Sequence, residues 1–396
     1  MLSKILPPLA FAVLFLLLPV QAAASQNQAA PNEPAETWQG GSLYQPVSIN
    51  VLELQGTYME MGRQYGHLMS HVLQDLYQEA VVEHFMGEKG LSREKMLQTA
   101  QGLYEFYPRR FKDLIQGMSQ TSGLDLEEQM MLNALELYGT MSGCSAIFAW
   151  DDFTAGSPLI AGRNYDWFES YTDFARSLTL TVLNPDSGTS TAIVTFAGVM
   201  YATTGMNSKG LFIELNNGLP SGGNLTHLNR VHAVVNLLAF LVDYETMDQV
   251  DAAMHSTRSN FAFIINIADQ DRAFAYEWPP FGLKRRSGEE HGLLVSTNHF
   301  AHPSWGLMLQ EDTGFKSEKR RDNLLNLGRE NRGEININKM KDILDTTMQQ
   351  DGATWPPDGD IRTVYQVIAQ PETLKLWIKV PGHQDWTGVD LNHYFQ

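Results

Sequence analysis

The chain has 396 residues, a formal charge of −17 and one cysteine, Cys144. This acidic balance argues against nucleic acid or an anionic membrane surface as partner, because either would repel it. One thiol cannot close an internal disulfide, which leaves a dimer link, an inert core residue or a reactive group.

The opening "MLSKILPPLAFAVLFLLLPVQAAASQ" reads as a signal peptide over residues 1–24. Lys4 supplies the charged start, an apolar run follows, and "AAA" before Ser25 is a small-residue cleavage site. The run is too short for a stable membrane span, so export to the periplasm or the medium is expected. An exported thiol is exposed to oxidation, a cost that favours a use for Cys144. Residues 25–37 are polar and proline-bearing, the composition of an unstructured mature N-terminus.

Residues 38–143 read as mainly helical. In "TYMEMGRQYGHLMSHVLQDLYQEAVVEHF", "SREKMLQTAQGLYEFY" and "LDLEEQMMLNALELYGTM", apolar residues recur at three- and four-residue steps. From Cys144 the period changes to short β-rich runs: "CSAIFAW", "PLIAGRNYDW", "SLTLTVL", "TAIVTFA" and "GLFIELN", each bounded by turn residues. Helices are expected in "NRVHAVVNLLAFLVDY" and "TMDQVDAAMHS", then strands in "NFAFIINIAD", "AFAYEWP" and "HGLLVSTNH". A second helical pair, "SEKRRDNLLNLGREN" and "INKMKDILDTTMQ", precedes a hairpin in "TVYQVIAQPETLKLWIKV". The pattern predicts an α+β fold with sheets covered by helices, and a β-rich domain over residues 144–396.

The switch from helical to strand periodicity falls at Gly143–Cys144, which suggests a processing boundary. A cut there would give Cys144 a free α-amino group with a pKa of about 7.7–8.0, near the thiol's own value of about 8.5. Such an amine can take the thiol proton without a histidine, the N-terminal nucleophile arrangement. The thiolate needs positive charge nearby, and an attacked amide needs donors aimed at its oxyanion. Candidate groups are Arg163 and Asp166 in "AGRNYDWF", Asn216 closing "GLFIELN" and Asn298 closing "VSTN".

The series "GCSAIFAW", "GRNYDWF", "GMNSKGLFIELNNG", "VSTNHF" and "SEKRRDNLLNL" resembles the cysteine N-terminal nucleophile (Ntn) hydrolases, and most of all the isopenicillin N acyltransferase family. It is also similar to choloylglycine hydrolases and the acid ceramidase group. With "LQGTYMEMGRQYGHLM" upstream, the resemblance spans roughly residues 50–380. It implies a four-layer αββα sandwich preceded by the helical prosegment, which becomes a small subunit that stays associated after autocatalytic cleavage. It implies Cys144 as nucleophile and, through its amine, base. Asp166 would hold that amine, Arg163 favour the thiolate, Asn216 donate to the oxyanion, and Asn298 orient substrate or amine. Ser317 and Arg320 match a Ser-x-x-Arg feature, with Arg321 as the alternative should the register slip by one. Arg163 follows the choloylglycine pattern where the penicillin acyltransferase has glutamine, and the long prosegment follows the acyltransferases. Neither bile-salt nor penicillin specificity therefore carries over.

The activity so implied is hydrolysis, ahead of acyl transfer, of a linear N-acyl amide through an acyl-Cys144 thioester, without cofactor or metal. His67 and His71 lie one helical turn apart but lack the glutamate of the zinc-protease helix motif. Two competing readings are a non-catalytic exported binding protein with an inert Cys144, and an uncut cysteine hydrolase using His299 as base. Asn224-Leu225-Thr226 is a glycosylation sequon, meaningful in a eukaryotic source.

Overall fold

The computed structural model describes residues 33–45, 49–139, 143–154, 156–223, 225–307 and 315–396. The stretch over 1–24 that the sequence suggests is a signal peptide, residues 25–32 and Asn224 of the sequon lie outside them. The described chain begins with β1 (Glu36–Trp38), β2 (Gly41–Tyr44) and β3 (Asn50–Gly56). The helices α1 (Tyr58–Leu68), α2 (Ser70–Leu76), α3 (Arg93–Glu105), α4 (Arg109–Thr121) and α5 (Leu126–Asn133) follow, with a wider π-type run over Tyr77–Glu88. Next come β4 (Cys144–Ala149), β5 (Ile160–Phe168), α6 (Ser170–Phe174), β6 (Leu178–Pro185), β7 (Thr191–Phe196), β8 (Thr204–Asn207), β9 (Phe212–Asn217) and α7 (Leu219–Gly222). The pair α8 (Ala233–Asp243) and α9 (Met247–Ser256) leads to β10 (Phe263–Ala268), β11 (Ala273–Trp278), β12 (Lys284–Arg286) and β13 (Leu293–Ser296). The chain closes with α10 (Ser317–Glu330), α11 (Ile337–Asp345), β14 (Ile361–Gln370), β15 (Lys375–Val380) and β16 (Gln384–Asp390).

These strands form two sheets. The larger has the order β1-β2-β3-β6-β7-β8-β9-β10-β11-β12 and the smaller β13-β4-β5-β14-β15-β16. Pairing is antiparallel except between β3 and β6, where Asn50–Gly56 runs alongside Thr179–Pro185. The sheets face each other, α10 and α11 cover the outer face of the smaller, and α1 and α8 pack on the larger. The result is the expected αββα sandwich. Alternation along β4 explains the layering. Cys144, Ala146 and Phe148 join the core between the sheets, whereas Ile147 and Ala149 pack under α10 and α11 with Leu324, Met340 and Leu344.

The segment over 38–143 is helical over its middle, and α1 starts where expected because Thr57 and Glu60 form a reciprocal capping box. It is also part of the larger sheet, which helical periodicity alone did not anticipate. β1 begins at Glu36, so the stretch over 25–37 ends in a paired strand instead of staying unstructured throughout. A turn at Gln39 and Gly40, both with positive φ, returns the chain, and Trp38 stacks on His67 with ring centroids 4.4 Å apart. α1 and α4 approach so closely that a Cβ on Gly62 would lie 2.1 Å from Leu114 O, and one on Gly117 2.4 Å from Met59 O. Only glycine fits at that crossing.

Candidate active site

Cys144 is the first residue of β4, and its side chain is buried between the sheets. β4 pairs with β5 so that Cys144 lies opposite Tyr165 and Ala146 opposite Arg163. Period-two alternation therefore sends Arg163 and Tyr165 to the side of β5 that faces the larger sheet, and Asp166 to the side that faces α10. Arg163 reaches the sulfur, with Nη2 3.5 Å from Cys144 Sγ. The rest of its guanidinium is fixed by the larger sheet: Nη2 donates to Leu215 O at 3.0 Å, and Nη1 donates to Thr203 O and Thr204 Oγ1. Nε lies 3.4 Å from Glu214 Oε2, and both side chains are fully buried. A planar fork with several fixed donors suits this role, and a lysine could not reproduce it.

On the other side of β5, Arg320 from α10 ties the strand ends together. Its Nη1 donates to Cys144 O at 2.8 Å and lies 3.4 Å from Asp166 Oδ2, while Nη2 donates to Asn298 Oδ1 at 2.5 Å. Asp166 also accepts from Thr363 Oγ1 at 2.7 Å. Asn298 Oδ1 accepts from the Cys144 backbone N–H at 3.0 Å, and Asn298 Nδ2 donates to Asn217 O at 2.9 Å. Ser317 Oγ, in turn, accepts from the Asn298 N–H at 2.8 Å. Asn216 shares a face of β9 with Glu214 and is directed at the smaller sheet, where Nδ2 makes only a long 3.5 Å contact with Ser296 O. Its Oδ1 has no partner.

Every site residue expected from the sequence is thus buried, and Arg163, Asp166, Asn298, Ser317 and Arg320 are linked to Cys144 directly or through one another, whereas the Asn216 side chain contacts only the Ser296 backbone. The Arg320/Arg321 register is resolved geometrically: Arg321 turns outward and donates to Glu289 at 2.7 Å. His299 lies on the opposite side of its strand end from Asn298. Its Nδ1 contacts Ser317 Oγ at 2.8 Å, and burial with Arg321 and Arg286 nearby pushes its pKa down to about 3. The lowered value makes the ring a weak base, and its Nδ1 is turned to Ser317 and Thr297, so its contacts do not favour the histidine-base reading. Among the described residues no cluster of three metal-ligating side chains occurs, and His67 is stacked on Trp38.

Burial pushes the Cys144 thiol above its ordinary value, and the Arg163 charge pulls it back. Desolvation also raises Asp166 to about 7, against Arg320 and Thr363, and raises Glu214 to about 7, against Arg163. Sequence reasoning missed Glu214, Thr203 and Thr204, which hold Arg163, and Thr363, which holds Asp166. Glu214 had a legible signal, since a carboxylate inside the apolar run "LFIEL" can be buried only with a partner.

Cys144 opens on a cavity of ≈ 740 Å³ between the helices upstream of β4 and the larger sheet. Leu103 and Phe106 at the end of α3 line it, together with Leu215, Phe261 and Phe263. Another concavity, of ≈ 800 Å³, is lined by Glu79, Glu83, Glu88 and Asp173 and does not include Cys144.

The profile of the acyl-coenzyme A:6-aminopenicillanic acid acyl-transferase family matches residues 154–385. No curated protein sequence matches the chain. Similar solved structures include a mutant of the conjugated bile acid hydrolase from Clostridium perfringens, at 14% identity and a TM-score of 0.46, covering 63% of this chain and 92% of that one. The Caenorhabditis elegans ortholog of N-acylethanolamine-hydrolyzing acid amidase is 19% identical with a TM-score of 0.44, over 61% of this chain and 95% of that one. Penicillin V acylase from Agrobacterium tumefaciens is 10% identical with a TM-score of 0.43, over 63% and 86%. The family match covers more than half of the chain, so this protein belongs to the acyl-coenzyme A:6-aminopenicillanic acid acyl-transferase family of the Ntn-hydrolase superfamily and is an enzyme of the hydrolase/acyltransferase kind.

Proposed function

We propose that this enzyme is a self-processing cysteine amidohydrolase that acts on a linear N-acyl amide through an acyl-Cys144 thioester. The observation that carries the reading is the pair of contacts on one residue: Arg163 Nη2 at 3.5 Å from the sulfur and Asn298 Oδ1 at 3.0 Å from the nitrogen. The first favours thiolate, and the second holds the nitrogen that would become the base. In the connected chain that nitrogen is an amide and cannot act as one.

Processing begins when Cys144 Sγ attacks the Gly143 carbonyl carbon. The C–N bond breaks as C–S forms and the nitrogen takes the thiol proton, which frees the amine; water then hydrolyses the thioester, giving the Gly143 carboxylate and restoring the Cys144 thiol. In turnover the amine removes the thiol proton, and the thiolate attacks the substrate carbonyl. Asn216 donates to the resulting oxyanion, since its Nδ2 has only a long bond to give up. Collapse breaks the substrate C–N bond, and the leaving amine takes the proton from the Cys144 ammonium. Water, deprotonated by the same amine, then cleaves the thioester and releases the acid. Asp166 and Arg320 position the strand end and the amine. Hydrolysis is favoured over transfer because the proposed signal peptide over 1–24 removes the enzyme from cytosolic acyl donors.

Intact mass and N-terminal sequencing of the purified protein test this. Two fragments are expected, the larger beginning at Cys144, together with a Cys144→Ala variant that stays uncut and inactive. An uncut wild-type chain, or full activity in Cys144→Ala, overturns the reading.

A further inference from the structure

The Gly143–Cys144 bond is fixed on one side by hydrogen bonds and on the other by packing. On the Cys144 side, β4 pairs with β5, Cys144 O accepts from Arg320 Nη1 at 2.8 Å, and the Cys144 N–H donates to Asn298 Oδ1 at 3.0 Å. On the Gly143 side, Phe315 from the turn before α10 lies against the chain. Gly143 is buried, and a Cβ placed on it would lie 3.0 Å from Phe315 Cβ, 3.1 Å from Cγ and 3.2 Å from Cδ1. A side chain at 143 would have to displace the phenylalanine.

Phe315 is set there by a backbone that few side chains tolerate. Its φ is 77° and that of Lys316 is 44°, two successive left-handed residues of which neither is glycine. Such conformations are strained for a residue with a Cβ and persist only where the surroundings hold them. Arg320 does the holding: its Nε donates to Phe315 O at 2.7 Å, and its backbone N–H donates to Lys316 O at 3.0 Å. One guanidinium thus grips Phe315 O and Cys144 O together. Glycine at 315 would make the same turn without strain. What phenylalanine adds is the ring on Gly143.

Resting on the self-processing reading above, we propose that Phe315 is a positioning residue for the cut between Gly143 and Cys144. Its side chain clamps Gly143 and so keeps the Gly143 carbonyl carbon where Cys144 Sγ can attack it. Phe315 makes no bond and moves no proton. It acts by restricting Gly143, which has no side chain of its own to pack. An intramolecular attack draws much of its rate from fixed geometry, and a misplacement of about 1 Å can cost about 10²-fold. The clamp also gives position 143 a specific reason to be glycine, because a Cβ there would push Phe315 away.

The test follows fragment formation in pulse-labelled full-length chains made by cell-free synthesis. Phe315→Gly removes the ring without straining the turn and is expected to slow the cut at least about tenfold. Phe315→Leu keeps bulk over Gly143 and is expected to stay within about threefold of wild type. Gly143→Ala is expected to slow the cut about tenfold by itself but less than about threefold alongside Phe315→Gly, because residues in contact are not additive. A purely structural role would give the same Gly143→Ala factor in both backgrounds. Resistance to trypsin checks that each chain has folded, and Phe315→Asn, which tolerates the same φ, replaces a Phe315→Gly chain that fails this check. Equal rates in Phe315→Gly and wild type, or equal Gly143→Ala factors with and without the ring, overturn the proposal and leave the self-processing reading intact. A wild-type chain that stays uncut overturns that reading and this inference with it.

Discussion

Arg163 shows how a single residue couples stability to chemistry. Its guanidinium faces Cys144 Sγ at 3.5 Å and Glu214 at 3.4 Å, in a space with no exposure to water. Removing one member of a buried pair costs about 3–5 kcal/mol, since the other charge is left uncompensated. Arg163→Gln is therefore expected to lose about that much stability in urea unfolding, and adding Glu214→Gln to recover most of it. Alkylation of Cys144 by iodoacetamide at neutral pH should slow by at least about tenfold in both variants, because neither restores positive charge beside the sulfur. Equal alkylation rates in the wild type and the double variant would show that Arg163 acts only as structure. At this scale the sequence was legible where a motif brought the residue type: Cys144, Arg163, Asp166, Asn216, Asn298, Ser317 and Arg320 could all be named in advance. Glu214 showed only as a carboxylate in need of a partner, and which partner could not be read, because Arg163 is far away in the chain and partnership is a property of the folded state.

Among the elements, the instructive case is β3. The prosegment reads as helical, and its helices do carry apolar residues at helical spacing, yet the strand that precedes them lies between β2 and β6 inside the larger sheet. Its seven residues pair in parallel with Asn50 opposite Thr179 and Gly56 opposite Pro185. Cutting at Gly143 removes none of these hydrogen bonds. The two fragments are thus expected to co-elute in size-exclusion chromatography at neutral pH and to separate only in denaturant. Separation in buffer alone would contradict the pairing. The strands β8, β12 and β16 were not read from the sequence either. "TGMN" and "KRR" are too short and too polar to alternate, and they are strands only because a neighbouring strand completes their hydrogen bonds.

Across the whole molecule, the buried carboxyls of Asp166, Glu214 and Glu136 are held above their ordinary range and the buried rings of His232 and His299 below theirs. Asp166 rises from 3.8 to about 7 and Glu214 from 4.5 to about 7, both mainly through desolvation. Between those limits these two carboxyls bind more protons in the native chain than in the unfolded one, so their contribution to stability falls as pH rises through this window. The thermal midpoint of the Cys144→Ala protein is expected to drop between pH 5 and pH 8, and Asp166→Asn to flatten the drop. A slope identical in Asp166→Asn would assign the effect to the overall charge of −17, which also destabilises as it grows.

Local chemistry settled the alternation of helices and strands, the capping of α1 at Thr57, the boundary at Gly143–Cys144 and the residue types gathered on Cys144. Those depend on spacing and side-chain character within a few residues. Tertiary structure alone decided which sheet holds β1 to β3, that Arg320 and not Arg321 meets Cys144, and which carboxylate sits beside Arg163. Each of these depends on strand register and on groups brought together from distant parts of the chain, where the balance between desolvation and pairing is struck only after folding.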